Sequence, residues 1–205
     1  MNYSICVSGA AAGETVTTAH DLAERLGKAI ADSGHIITTG ATVGLPLYAA
    51  RAAKLAGGHS IGFSPAASLK EHVKKYRLPI GFYDFINFTG LHYVGRDVFL
   101  VQSSDAVITV GGRFGSLHEF TTALESRMPC GVLVGSGGAA DMIPGLMQQL
   151  KAPNEKLVVF DDNPERLVQK IVALLDEEMK DINTKTIEHE WFISSSQTPN
   201  GNHSG

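Results

Sequence analysis

The run Thr109–Glu119, TVGGRFGSLHE, joins residue types suited to holding a phosphate with a carboxylate able to handle a proton. Glycine lets backbone N–H groups approach an anion closely, and a helix beginning just after it adds partial positive charge. Two other loops of small residues, Gly9–Gly13 and Gly40–Gly44, repeat the pattern. One such loop is a weak signal, because sharp turns need glycine anyway. Three of them on one edge of one sheet point to a ligand. The expected phosphate contacts are Gly9, Gly40, Gly44, Gly111, Gly112 and Gly115 through the backbone, Ser116 through its hydroxyl, and Arg113 through its charge. Glu119 has two readings. Ser116–Glu119 is an S-x-x-E run ahead of apolar residues, which is a capping box. The same glutamate, in a first helical turn whose dipole would keep it ionised, could serve acid–base chemistry. His118 points about 100° away from Glu119 on a helix and is expected to be a bystander.

These residues need elements to position them, and the chain alternates β-branched runs with amphipathic ones. Strands are predicted at Ser4–Ser8, His35–Thr38, Ser60–Phe63, Phe85–Phe88, Ala106–Val110, Gly131–Val134 and Leu157–Phe160. Helices are predicted from a Thr17 or Thr18 cap to Ser33, then at Pro46–Ala56, Leu91–Ser103, Leu117–Arg127, Asp141–Leu150 and Pro164–Met179. A polar connection joins the third and fourth strands. The strands are apolar throughout rather than alternating, as in a parallel sheet covered on both faces. The expected fold is therefore α/β: a Rossmann-like, doubly wound parallel sheet of about seven strands, with ligands beyond the strands' carboxyl ends. Residues 1–180 form the predicted domain. Residues 181–205 form a tail whose polar end, SSSQTPNGNHSG, is expected to be disordered. Trp191 and Phe192 precede that end and could dock on the body or on a partner.

Composition excludes several classes. A formal charge of −4 and a pI near 6.0 argue against a nucleic-acid binder. Cys6 and Cys130 sit in apolar runs and read as core residues. No apolar run reaches membrane-spanning length and no signal segment is evident, so a cytoplasmic protein is expected. The first loop lacks G-x-G-x-x-G, no G-x-x-x-x-G-K-[ST] occurs, and Ser8 is not in a G-x-S-x-G elbow. The eight histidines show no metal-ligand spacing. Nothing marks a lysine for pyridoxal phosphate, and neither metal nor cofactor is expected.

GGRFGSLHE resembles the PGGxGTxxE motif of the LOG family, the cytokinin-activating nucleoside-monophosphate phosphoribohydrolases once labelled lysine decarboxylases. GATVGLP resembles that family's GGGxxGLMG loop, GGHSIGFSP its GG-x-x-IG-x-x-P strand, and GRDVFLVQSSDAVITV the segment bearing its arginine. Arg96 falls on that arginine, at the family's separation from Glu119. Val110, Ser116, Gly95, Asp97 and Thr38-Thr39 depart from the pattern, as in a distant branch of a superfamily that also holds molybdenum-cofactor carriers. The resemblance implies cleavage of the bond between base and ribose 5-phosphate, with Arg96 and Glu119 as catalytic residues. It leaves open a non-catalytic nucleotide or cofactor carrier. It also implies a homodimer or larger homo-oligomer, consistent with the apolar Leu91, Val94, Val98, Phe99 and Val101 on one helix.

Overall fold

The computed structural model describes residues 2–152, 154–180 and 182, so Trp191, Phe192 and the polar tail lie outside the described residues. Seven strands form one all-parallel sheet: β1 (Ser4–Gly9), β2 (Ile36–Thr39), β3 (His59–Ser64), β4 (Phe85–Phe88), β5 (Ala106–Val110), β6 (Cys130–Leu133) and β7 (Val158–Asp161). Their order is β4-β3-β2-β1-β5-β6-β7. The helices between them are α1 (Glu14–Asp32), α2 (Leu45–Leu55), α3 (Leu69–Lys74), α4 (His92–Gln102), α5 (Phe114–Glu125) and α6 (Gly138–Leu150), with α7 (Pro164–Glu178) after β7. The chain steps outward from β1 through β4, then returns to β5 on β1's other side. Right-handed crossovers therefore put α1–α3 on one face and α4–α6 on the other. The described residues up to Leu175 form one compact unit.

Every residue of β5 is buried, as are the four central residues of β1. These two strands pair from Ile5 with Ala106 to Gly9 with Val110, placing Ser8 beside Thr109. On one face Cys6, Val107, Cys130 and Val132 meet Leu100 and Val101 of α4, Phe120 and Ala123 of α5, and Ile143 of α6. Both cysteines are buried free thiols. On the other face α1 packs on α2, and Arg25 of α1 clamps Glu165 of α7 with bonds of 3.0 and 2.6 Å.

Several boundaries differ from expectation. α1 begins at Glu14, behind Gly13, rather than at a threonine cap; Gly13 has φ +103, a conformation that favours glycine. α6 begins at Gly138 because the Asp141 carboxylate reaches back to the N–H groups of Gly135 (2.6 Å) and Gly137 (3.1 Å). The connection after β3 contains α3, started by a reciprocal cap. Ser68 Oγ accepts the Glu71 N–H at 3.2 Å, and Glu71 Oε2 accepts the Ala67 N–H at 2.7 Å. α5 begins at Phe114, three residues before the expected Leu117, with no side-chain cap. Ser116 and Glu119 are thus inside the helix, and the capping-box reading of that pair is corrected. On α4, Val101 belongs to the core, whereas Val94 and Phe99, with Leu91 just before the helix, stay exposed. Among the described residues no helix is long and apolar enough to cross a membrane.

Candidate functional site

The sheet's strand order reverses between β1 and β5, and loops diverging at such a point leave a crevice. A cleft of about 370 Å³ opens there. Its walls come from the end of β1 and the following loop (Ser8 to Ala12), from Gly40, Thr42 and Pro46, from Tyr93, Arg96 and Asp97 of α4, and from Arg113 to Ser116 and Glu119 at the start of α5.

Glu119 lies in the second turn of α5 on the side facing the sheet, and is buried. Its Oε2 accepts a hydrogen bond from the Ser8 hydroxyl. Burial pushes its carboxyl up to about 7, against the pull of Arg96 and the Ser8 hydrogen bond; Asp97 adds to the rise. The expectation that the helix dipole keeps this group ionised is therefore corrected: one turn further in, desolvation outweighs the dipole.

Arg96 is also buried, and three groups hold it. Its Nη1 donates to the Phe63 carbonyl at 3.3 Å, its Nε stands 3.2 Å from Asp97 Oδ1, and its guanidinium lies 5.9 Å over the Tyr93 ring. The Nε–H is not aligned on Asp97 and has no hydrogen-bond acceptor. Gly40 provides the recess for this side chain, since a Cβ there would lie 1.6 Å from Nη1. Asp97 is buried as well and its other oxygen stands 3.3 Å from His118 Nδ1. One carboxylate thus bridges Arg96 and His118.

Of the residues singled out in the sequence, Gly9, Gly40, Arg96, Arg113, Gly115, Ser116 and Glu119 line the cleft. Gly44, Gly111 and Gly112 are not in its lining. Gly44 has φ +80, and a Cβ there would meet the Ala10 carbonyl at 2.3 Å, so it seats the first loop on α2. The Gly111 N–H is donated to Ser136 Oγ at 2.7 Å, while the carbonyls of Gly111 and Gly112 accept the Ala140 and Ala139 N–H groups. These two glycines tie the loop to α6. Ser8, Asp97, Tyr93 and Phe114 line the cleft without having been marked as site residues. Tyr93, one turn before Arg96 on α4, carried a helical-spacing signal. Asp97 carried none, because adjacent helical residues do not ordinarily face one partner. Among the described residues no group of three or more His, Cys, Asp or Glu could hold a metal ion.

Comparison with known proteins agrees with this architecture. A molybdenum cofactor binding protein from Rippkaea orientalis superposes with a TM-score of 0.69 at 27% identity, over 85% of this chain and 98% of that one. The Moco carrier protein of Chlamydomonas reinhardtii gives 0.70 at 26% identity, over 86% and 99%. DNA processing protein A of Helicobacter pylori, described as binding single-stranded DNA, shares the fold alone, with a TM-score of 0.56 at 16% identity over 83% of this chain and 80% of that one. An uncharacterized protein of Archaeoglobus fulgidus is 33% identical over 114 residues, 56% of this chain and 70% of its own length. The SLOG cluster4 family model matches residues 2–168, and with a switch-point cleft floored by the motif region the chain belongs to the SLOG cluster4 family.

Proposed function

We propose that the cleft binds a nucleoside 5′-monophosphate and that the protein hydrolyses its N-glycosidic bond, giving free base and ribose 5-phosphate. Glu119 carries this reading. It is a buried carboxyl in the cleft wall, hydrogen-bonded to Ser8 and held near neutrality, where it can take or give a proton at working pH. Water oxygen would bond to the anomeric carbon while the glycosidic electron pair leaves with the base; Glu119 would take the proton the water loses and the base would take up a proton in its place. The ionised Glu119 would orient the water and stabilise the oxocarbenium-like sugar. Arg96, rigidly held, supplies positive charge for the departing base. The phosphate would lie against the first turn of α5, where the Gly115 and Ser116 N–H groups have no intrahelical partner, with the Ser116 hydroxyl and Arg113 completing the cradle.

A non-catalytic carrier is the second reading. It is favoured by Asp97, whose charge offsets Arg96, and by the two relatives described as binding or carrying the molybdenum cofactor. Incubating a panel of nucleoside monophosphates with protein at near-equal concentration separates the two. Free base by chromatography supports hydrolysis. Thermal stabilisation without release supports the carrier, and neither effect with any nucleotide defeats the nucleotide reading. The exposed Leu91, Val94 and Phe99 support a homodimer through α4. A sedimentation experiment at low micromolar concentration showing only monomer would exclude it.

A further inference from the structure

The cleft is polar on its floor and aromatic at its rim. Phe114, the first residue of α5, lines it with 87% of its surface exposed. Tyr93, from α4, lines the same cleft and is 47% exposed. A helix start gains nothing from an exposed phenylalanine. Proline or an acidic residue is what serves at this first helical position, and the N-cap before it, Arg113, makes no side-chain cap. Tyr93 is oriented in advance, with the Arg96 guanidinium 5.9 Å over its ring and Tyr76 edge-on at 5.6 Å between centroids.

Resting on the phosphate-binding reading above, we propose that Phe114 and Tyr93 form an aromatic clamp that takes a planar heterocyclic ring, so that the ligand class is a phosphorylated nucleoside and not a bare phosphosugar. A ring has two apolar faces and a polar edge, so it stacks on an aromatic side chain while its phosphate end stays with the helix N–H groups and Arg113. Phe114 directly precedes the two residues assigned to the phosphate, which places ring and anion sites on adjoining positions of one helix start.

Calorimetric titration of the full chain with AMP, ribose 5-phosphate and inorganic phosphate tests this. Wild type should bind AMP more tightly than ribose 5-phosphate. Phe114→Ala and Phe114→Leu should weaken AMP by about tenfold, the usual scale for one base on one aromatic ring, and change ribose 5-phosphate by less than about twofold. Phe114→Tyr should retain AMP affinity. Equal weakening of both ligands, AMP no tighter than ribose 5-phosphate, or a Phe114→Ala chain that loses its oligomeric state while keeping AMP affinity, each overturns the clamp alone. Failure of wild type to bind any of the three overturns the phosphate site beneath it. Phe114 is exposed, so an unchanged melting midpoint checks that its variants are folded.

Discussion

Ser8 at the end of β1 donates its hydroxyl to the carboxylate of Glu119 on α5, a hydrogen bond between residues 111 apart in the chain. It joins the two elements on either side of the switch point, and a serine there makes Glu119 a more stable anion than its burial alone would allow.

Ser8→Ala should raise the Glu119 pKa above about 7, by roughly one unit, because a hydrogen bond to the charged form is lost while the desolvation remains. A carbon-13 titration of the Glu119 carboxyl reads this without requiring turnover. A downward or absent shift would show that the bond does not favour the carboxylate.

Glu119→Gln should make stability less dependent on pH. The folded carboxyl titrates near 7 and the unfolded one near 4.5, so the unfolded state binds fewer protons between these values. Stability of the wild type should then fall as pH rises from about 4.5 to 7 and be flat above that. The variant, with no charge to bury, should melt higher than wild type at pH 8, by at most about 3 kcal/mol in stability at 1.36 kcal/mol per unit. A cap role would instead leave the melting point nearly unchanged at pH 8, because glutamine serves as well as glutamate in a capping box. The same substitution should cut base release by at least about a hundredfold.

Gly40→Ala should destabilise the fold by about 1–3 kcal/mol and weaken nucleotide binding, because the added methyl occupies the place of the Arg96 guanidinium. In an Arg96→Ala background the same change should cost much less, a non-additivity that denaturant titrations of the four proteins measure. Equal costs in both backgrounds would separate Gly40 from Arg96.

Ser68→Ala should cost about 1 kcal/mol, the usual value for an N-cap hydroxyl, while Ser116→Ala should cost little. Melting curves of the two variants decide it, and the reverse order would restore the cap at Ser116.

Much of this architecture is written locally. The apolar strand runs and the amphipathic helices between them specify a parallel sheet, because a strand buried on both faces has no polar side to show. The two S-x-x-E runs show where local reading stops. Ser68 to Glu71 and Ser116 to Glu119 have the same spacing, yet only the first caps a helix. What separates them is tertiary: α5 starts earlier, at Phe114, and Ser8 on a distant strand captures the second glutamate. Asp97 shows the same limit. Its bridge from Arg96 to His118 depends on α4 packing against α5, which no short window of residues contains.

The glycine loop after β5 has a kinetic consequence. The Gly111 N–H is held by Ser136, and the Gly111 and Gly112 carbonyls hold the first turn of α6. The loop leading into α5 is therefore ordered before any anion arrives, and the fold rather than the ligand carries the entropy of ordering it. Under the phosphate binding proposed above, the anion would meet a finished surface, so its association should follow a single concentration-dependent step in stopped-flow, with no slow phase from loop closure.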